Sequence, residues 1–299
     1  MANTLLTPSV IARTMVGLLS RQVVLPGVVW RDFDTEFAGK VGASITVRVP
    51  GVLAGDEINI DAARTADIDL EDIEEQSISV ALTKIPYSAV AITDEDLNLR
   101  IEDFGQQVLM PQVQTVGERI EGYLASAMAA ATYAEELEFD PDDPFDSLVD
   151  ARKLLNDANV PLANRTLVVG SAIEAAWLKS NLLKQVDISG SSSALREATI
   201  GRLAGFTVLG SNAIAEDEAY AMHKSAFILS TRAPAVPEGA TFGQSASYQG
   251  LAMRWIRDYD ARRLQDRSVV SAFAGATAVE DPTTNEVVRA VKINFTQSA

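Results

Sequence analysis

The chain holds one histidine, His223, and no cysteine. Zinc, copper or iron sites built on several imidazoles or thiolates are therefore excluded, as are cysteine nucleophiles and disulfide frameworks. A Ser-His-Asp hydrolase would have to use His223. That residue falls in Tyr220–Ser230 (YAMHKSAFILS), which reads as a half-buried strand, and no GxSxG accompanies it. We read His223 as a strand residue with no chemical task. Gly201, Gly205 and Gly210 form neither GxGxxG nor a phosphate loop. An EF-hand loop counted from Asp140 puts Phe145 where glycine is needed and Ala151 where glutamate is needed, so calcium binding fails. Nothing singles out a catalytic pair among the 41 carboxylates. Arg254, Arg257, Arg262, Arg263 and Arg267 interleave with Asp258, Asp260 and Asp266, the pattern of an ion-pair network rather than a phosphate-binding patch. No catalytic, cofactor-binding or metal-binding residue is expected, and no cofactor.

Charge is distributed unevenly. The 41 acids and 25 bases give a formal net charge of −16. Residues 51–75 hold nine acids against Arg64 alone, and residues 134–150 hold eight acids and no base. The rest of the chain is formally neutral. At 47% hydrophobic residues over 299 positions, a sizeable core is available. No targeting segment is expected: residues 1–12 lack a basic start and Pro8 interrupts them. The longest uncharged helical stretch, Tyr123–Ala134, is too short to cross a bilayer, so no membrane partner is expected.

The elements that must carry these residues are unusual. Residues 1–40 read as an arm whose apolar residues, Leu18, Leu19, Val28, Val29 and Trp30 among them, must dock on something else. Ser44–Val49 and Ser77–Leu82 alternate with period two, and Val90–Thr93 extends the pattern after Pro86. Residues 41–93 then form a long two-stranded ribbon with an acidic tip, which is marginal alone. From Asp103 to Tyr133 apolar residues recur at Val113, Val116, Ile120, Leu124, Ala127 and Ala131, one face of a long helix. Pro111 either opens this helix or kinks it. Asp143 is the expected N-cap of the next helix, with Pro144 at N1 and Phe145, Leu148, Val149 and Leu155 facing inward. Ser171 with Glu174 predicts a further capped helix, and residues 145–233 a compact α/β unit. Strands return at Leu251–Tyr259, Arg267–Phe273 and Glu286–Phe295.

Several stretches carry a family likeness. Met1-Ala-Asn-Thr-Leu-Leu-Thr-Pro8, Lys40-Val-Gly-Ala-Ser-Ile-Thr-Val-Arg48, Ile101-Glu-Asp-Phe104, Ala194–Asn212 (ALREATIGRLAGFTVLGSN) and Gly250–Asp260 resemble the major capsid (coat) proteins of tailed bacteriophages. The resemblance implies an α+β fold shared with herpesvirus shells and encapsulins. It assigns 1–40 to the N-terminal arm, 41–93 to the extended loop, 94–144 to the spine helix and linker, 145–233 to the axial domain and 234–299 to the return strands of the peripheral domain. It implies no enzyme, but a subunit that assembles as pentamers and hexamers into an icosahedral shell around double-stranded DNA, without sequence-specific contacts. A separate scaffolding protein, a portal protein and, optionally, a decoration protein are the implied partners. The implied location is the virion shell, assembled in the bacterial host cytoplasm. We expect the tip acids Asp56, Glu57, Asp61, Asp67 and Asp69 to meet basic residues of a neighbour, drawn from Arg254, Arg257, Arg262, Arg263 and Arg267, and Pro111 to be a hinge. The alternatives are an encapsulin-like compartment and, in another class, an acidic cytosolic enzyme using carboxylate catalysis.

Overall fold

The computed structural model describes residues 23–31, 44–49, 55, 76–99, 104–179, 201–248, 251–281 and 284–296. Residues Leu25–Gly27 form a single 3-10 turn. Strands β1 (Ser44–Val49) and β2 (Gln76–Ala81) pair antiparallel, from Ser44 opposite Ala81 to Val49 opposite Gln76. The expected two-stranded ribbon does not extend to residue 93. Strand β3 (Tyr87–Thr93) instead joins a four-stranded sheet. Alternation identified the strand, but only a tertiary pairing chooses its partner. Helix α1 (Asp94–Leu99) follows, with Thr93 Oγ1 accepting from the Asp96 amide at 3.2 Å and donating to Asp96 Oδ2 at 2.9 Å.

The spine comes next. A π-helical turn, Gly105–Leu109, runs straight into α2 (Met110–Ala130), with Pro111 in its first turn. Proline has no N–H to donate and its ring crowds the carbonyl four residues back, so a widened turn just before it keeps the helical path continuous. At 1.5 Å per residue α2 spans about 32 Å. Val113, Val116, Ile120 and Leu124 are buried as the periodicity predicts. Beyond Leu124 the stripe runs on to buried Met128, whereas Ala127 and Ala131 are half-buried. A 3.6-residue period carries the stripe on by steps of four there.

After β4 (Glu136–Glu138), helix α3 spans Asp146–Asp157. Asp143 is not its N-cap. Phe145 holds that position in helical conformation with no side-chain cap, and the Asp146 amide bonds the Asp143 carbonyl at 3.3 Å. Asp140 Oδ1 accepts from the Asp142 amide at 2.8 Å, an Asx turn that delays the helix. Leu148, Ala151 and Leu155 define its buried face. Val149, one residue off that face, is exposed.

The remaining elements are β5 (Arg165–Val169), α4 (Ser171–Lys179), β6 (Arg202–Leu203), β7 (Phe206–Gly210), β8 (Glu218–His223), β9 (Phe227–Arg232), β10 (Phe242–Tyr248), β11 (Leu251–Asp260), β12 (Gln265–Ser271), β13 (Phe273–Ala278) and β14 (Ala290–Asn294). They build two main sheets. One has the order β4-β14-β8-β5-β7-β6, the other β10-β11-β12-β3; β13 pairs with β9 separately. The single strand expected at Arg267–Phe273 is thus split. Ala272, whose amide bonds the Pro86 carbonyl at 3.1 Å, lies at the switch.

Packing follows from side-chain parity. Leu167 and Val169 of β5 join Ala219, Ala221, Val291 and Ile293 beneath α3 and α4. Val168, Tyr220 and Met222, on the opposite face, join the core of α2. That two-sided cover explains why all five residues of β5 are buried. The same α2 core takes Trp255 and Val270 from the four-stranded sheet. Gln112 of α2 joins that sheet through a satisfied polar knot. Its Nε2 donates to the carbonyls of Ser88 (3.1 Å) and Ser268 (2.9 Å). Its Oε1 accepts from Ser268 Oγ (2.7 Å), which itself accepts from Trp255 Nε1 (2.9 Å).

Candidate functional site

The surfaces that could act on a partner are built from the arm, the ribbon base and the β11–β12 hairpin. The arm segment docks on its own chain. Glu121, buried in α2, accepts from the amides of Val24 (3.1 Å) and Leu25 (2.9 Å) through one carboxylate oxygen. Leu25 and Val29 are buried and Val28 is half-buried. Trp30 lies beside β9, its amide donating to the Phe227 carbonyl and its carbonyl accepting from the Leu229 amide, both at 3.0 Å. Leu18 and Leu19 lie outside the described residues. Sequence reasoning missed Glu121. Its signal is a column of Gly117, Glu121 and Ala125, four apart and all buried, where two small residues leave room for the arm beside an inward carboxylate.

The ribbon base is locked to β13. The amides of Thr83 (3.1 Å) and Lys84 (2.9 Å) donate to the Ala274 carbonyl, and the Ala274 amide donates to that of Lys84 at 2.9 Å. Gly275 lies directly against the Ala81 carbonyl, and a Cβ there would stand well inside van der Waals contact with backbone. The acids Asp56, Glu57, Asp61, Asp67 and Asp69 lie outside the described residues.

The five arginines separate into two groups. Arg257 pairs with Asp266 and stacks over the Phe104 ring at 4.7 Å. Arg267 pairs with Asp258 across the β11–β12 ladder. Arg254 donates to the Ala235 carbonyl (2.5 Å) and Ser271 Oγ (3.2 Å). These three serve their own sheet. Arg262 and Arg263 occupy the exposed hairpin turn, held only through their amides by Asp260, at 3.1 Å each. Their guanidinium groups form no ion pair among the described residues. Leu264, in left-handed conformation at φ 50°, closes the turn and is 63% exposed.

His223 ends β8, half-buried as expected. Its Nδ1 accepts from the Ser225 amide at 3.2 Å and lies 2.8 Å from Ser225 Oγ. Burial, then the charges of Arg289 and Arg165, hold its pKa below the ordinary histidine range. No carboxylate among the described residues orients it, so the triad geometry is not built. In the acidic linker, Glu136 and Glu138 lie on β4 and accept from Asn294 Nδ2 (2.9 Å) and Thr296 Oγ1 (3.1 Å). The described residues contain no group of three or more metal-binding side chains. No described helix is long and apolar enough to cross a membrane.

No protein-family model matches the chain, and no curated protein matches it in sequence. Solved structures do match in shape. A chain of Mycobacterium phage Che8 superposes with a TM-score of 0.69 at 18% identity, covering 91% of both chains. The mature capsid of bacteriophage PhiM1 gives 0.58 at 11% identity, over 86% of this chain and 83% of that one. A virus-like particle from Pyrococcus furiosus gives 0.54 at 11% identity, over 96% and 98%. Spine, ribbon and paired sheets together are therefore the α+β major-capsid fold that tailed-phage shells share with that particle.

Proposed function

We propose that the chain is the major capsid subunit of a tailed phage, assembling as pentamers and hexamers into an icosahedral shell around double-stranded DNA. The carrying observation is likeness over most of the chain to solved phage capsids, the cyanophage P-SCSP1u capsid at a TM-score of 0.63 and the PhiM1 mature capsid at 0.58, against 0.54 for the Pyrococcus furiosus particle. That order favours the phage shell over an encapsulin-like compartment. A scaffolding protein, a portal and a decoration protein belong to this reading, as do assembly in the bacterial cytoplasm and the divisions at residues 40, 144 and 233.

The geometry narrows the contact hypothesis. Arg254, Arg257 and Arg267 are engaged within their own sheet, so Arg262 and Arg263 are the pair we assign to a neighbour's ribbon acids Asp56, Glu57, Asp61, Asp67 and Asp69. Such pairing fixes register more than it adds affinity. Pro111, next to the π-turn, is the proposed hinge of the spine. Negative-stain microscopy of the chain co-expressed with its scaffolding partner tests the function. Polyhedral particles are expected; a persistently monomeric or dimeric product rules it out. Charge reversal at Arg262 and Arg263 together should lower particle yield while leaving subunit stability unchanged.

A further inference from the structure

One end of the six-stranded sheet gathers cations that have no counter-ion among the described residues. Strands β14, β8 and β5 are neighbours, and Arg165 is the direct cross-strand partner of His223. Ala290 lies opposite Met222, so Arg289 stands beside His223, whose amide donates to the Arg289 carbonyl at 3.0 Å. Arg165, His223 and Arg289 share the parity of Leu167, Ala221 and Val291, which face α3. All three therefore lie in one row on one face, over about 10 Å at the usual strand spacing. Arg152 reaches the same place from α3, its Nη1 donating to the Ala204 carbonyl at 2.7 Å beside β7.

Like charges directly across a ladder are destabilising, and a sheet normally interleaves them with acids. The β11–β12 hairpin does so. This row does not: no carboxylate among the described residues pairs with Arg152, Arg165 or Arg289. Arg165 is only 4% exposed, and although Nε and Nη2 bond the carbonyls of Pro161 (2.9 Å) and Val160 (2.6 Å), its Nη1 has no partner. An orphaned guanidinium N–H in a buried position is costly unless something accepts from it. The other groups are donors too. Arg289 Nη1 donates to Ser225 Oγ at 3.0 Å, and with the Ser225 amide donating to Nδ1, the neutral imidazole carries its proton on Nε2. Three guanidinium groups and one imidazole N–H exceed what a single carboxylate can satisfy. They match a phosphate, with its two charges and several acceptor oxygens.

We propose that Arg152, Arg165, His223 and Arg289 form a phosphate-binding site at this end of the six-stranded sheet. The assignment does not depend on the shell reading. The phosphate is either free in solution or part of a nucleic-acid backbone, and the test separates the two. Thermal unfolding of the full chain is followed in inorganic phosphate and in chloride at equal ionic strength. The comparison is Arg152→Gln with Arg289→Gln, both half-exposed and outside the buried core, with circular dichroism to verify folding. Phosphate should raise the melting temperature of the unaltered chain, and the double variant should need at least tenfold more phosphate for the same shift. Arg152→Lys with Arg289→Lys should recover part of the effect. A second arm measures anisotropy of a labelled short DNA duplex. Binding that phosphate displaces and the double variant weakens identifies the backbone as the source; a phosphate effect without duplex binding identifies the free ion. Equal stabilisation of the unaltered chain and the double variant by phosphate, or none in either, overturns the proposal.

Discussion

The two main sheets are finished to different degrees. The six-stranded sheet is covered on both faces, by α3 and α4 on one side and α2 on the other. The four-stranded sheet is covered by α2 on one face, while its other face carries the segment Pro234–Val236 across β10 and β11 and is otherwise more open. Its outer face shows Tyr87, 64% exposed, beside exposed Ala89 and Ala91 and half-buried Val269 and Ile256. One solvated face is ordinary for an antiparallel sheet, and this one also carries Arg254 and the Arg267–Asp258 pair. The first sheet is thus a completed core and the second an open one. The difference places folding stability in the helix that both share and leaves much of the outer face of the second in solvent.

The contrast breaks most readily at the shared helix. Leu124 is fully buried in the core that takes Tyr220 and Met222 from one sheet and Trp255 from the other. Leu124→Ala should cost about 2–5 kcal/mol in chemical denaturation, through lost burial and the cavity left behind. A loss near zero, or separate transitions for the two sheets, would show that α2 does not unite them. Glu121→Ala comes next. Without its carboxylate the amides of Val24 and Leu25 lose their acceptor, at about 1–3 kcal/mol. Glu121→Gln keeps an acceptor oxygen and should recover most of it. Protease cleavage within residues 23–31 should rise in the alanine variant alone.

A pH profile sharpens the comparison on the completed side. Burial pushes the Glu218 carboxyl up, but hydrogen bonds from Lys292 and Tyr220 outweigh it and hold its pKa below the ordinary carboxylate range. A folded pKa below the unfolded one gives stability that is present above the unfolded value, about 4.3, and is lost as pH falls through the folded one. Stability should therefore be level above about pH 5 and fall in acid. Lys292→Met removes the 2.8 Å ion pair, lets the folded pKa rise toward the unfolded one, and should make that acid fall smaller. An unchanged acid limb in the variant would mean that the pair contributes nothing.

Much of this division was legible in the sequence where a period repeats. Val113, Val116, Ile120 and Leu124 announced the spine. Pairing was not legible. Nothing local told Tyr87–Thr93 to leave the ribbon for β12, because alternation specifies a face and not a neighbour. Asp143 looked like a cap until the Asx turn at Asp140 delayed the helix. The basic row eluded sequence reasoning for a related reason. Arg165, His223 and Arg289 are more than fifty positions apart in sequence, and only the β5-β8-β14 order makes them adjacent. The five arginines of the second sheet looked alike in sequence, and their pairing partners alone divide them.

The smallest expected effect on the subunit tests the open sheet. Tyr87 projects from edge strand β3, opposite Ser271, with Ile85 exposed nearby. A side chain already in solvent contributes little to folding, so Tyr87→Ser should shift subunit stability by no more than about 0.5 kcal/mol. Its effect belongs elsewhere: if the outer face meets a neighbour in the shell, an aromatic residue there is the kind that carries binding energy. Particle yield should then fall severalfold with the denaturation midpoint unchanged. A variant that assembles as well as the unaltered chain would make the outer face of β3 ordinary solvated surface. In that case the hairpin turn at Arg262 and Arg263 would be the contact surface of the second sheet.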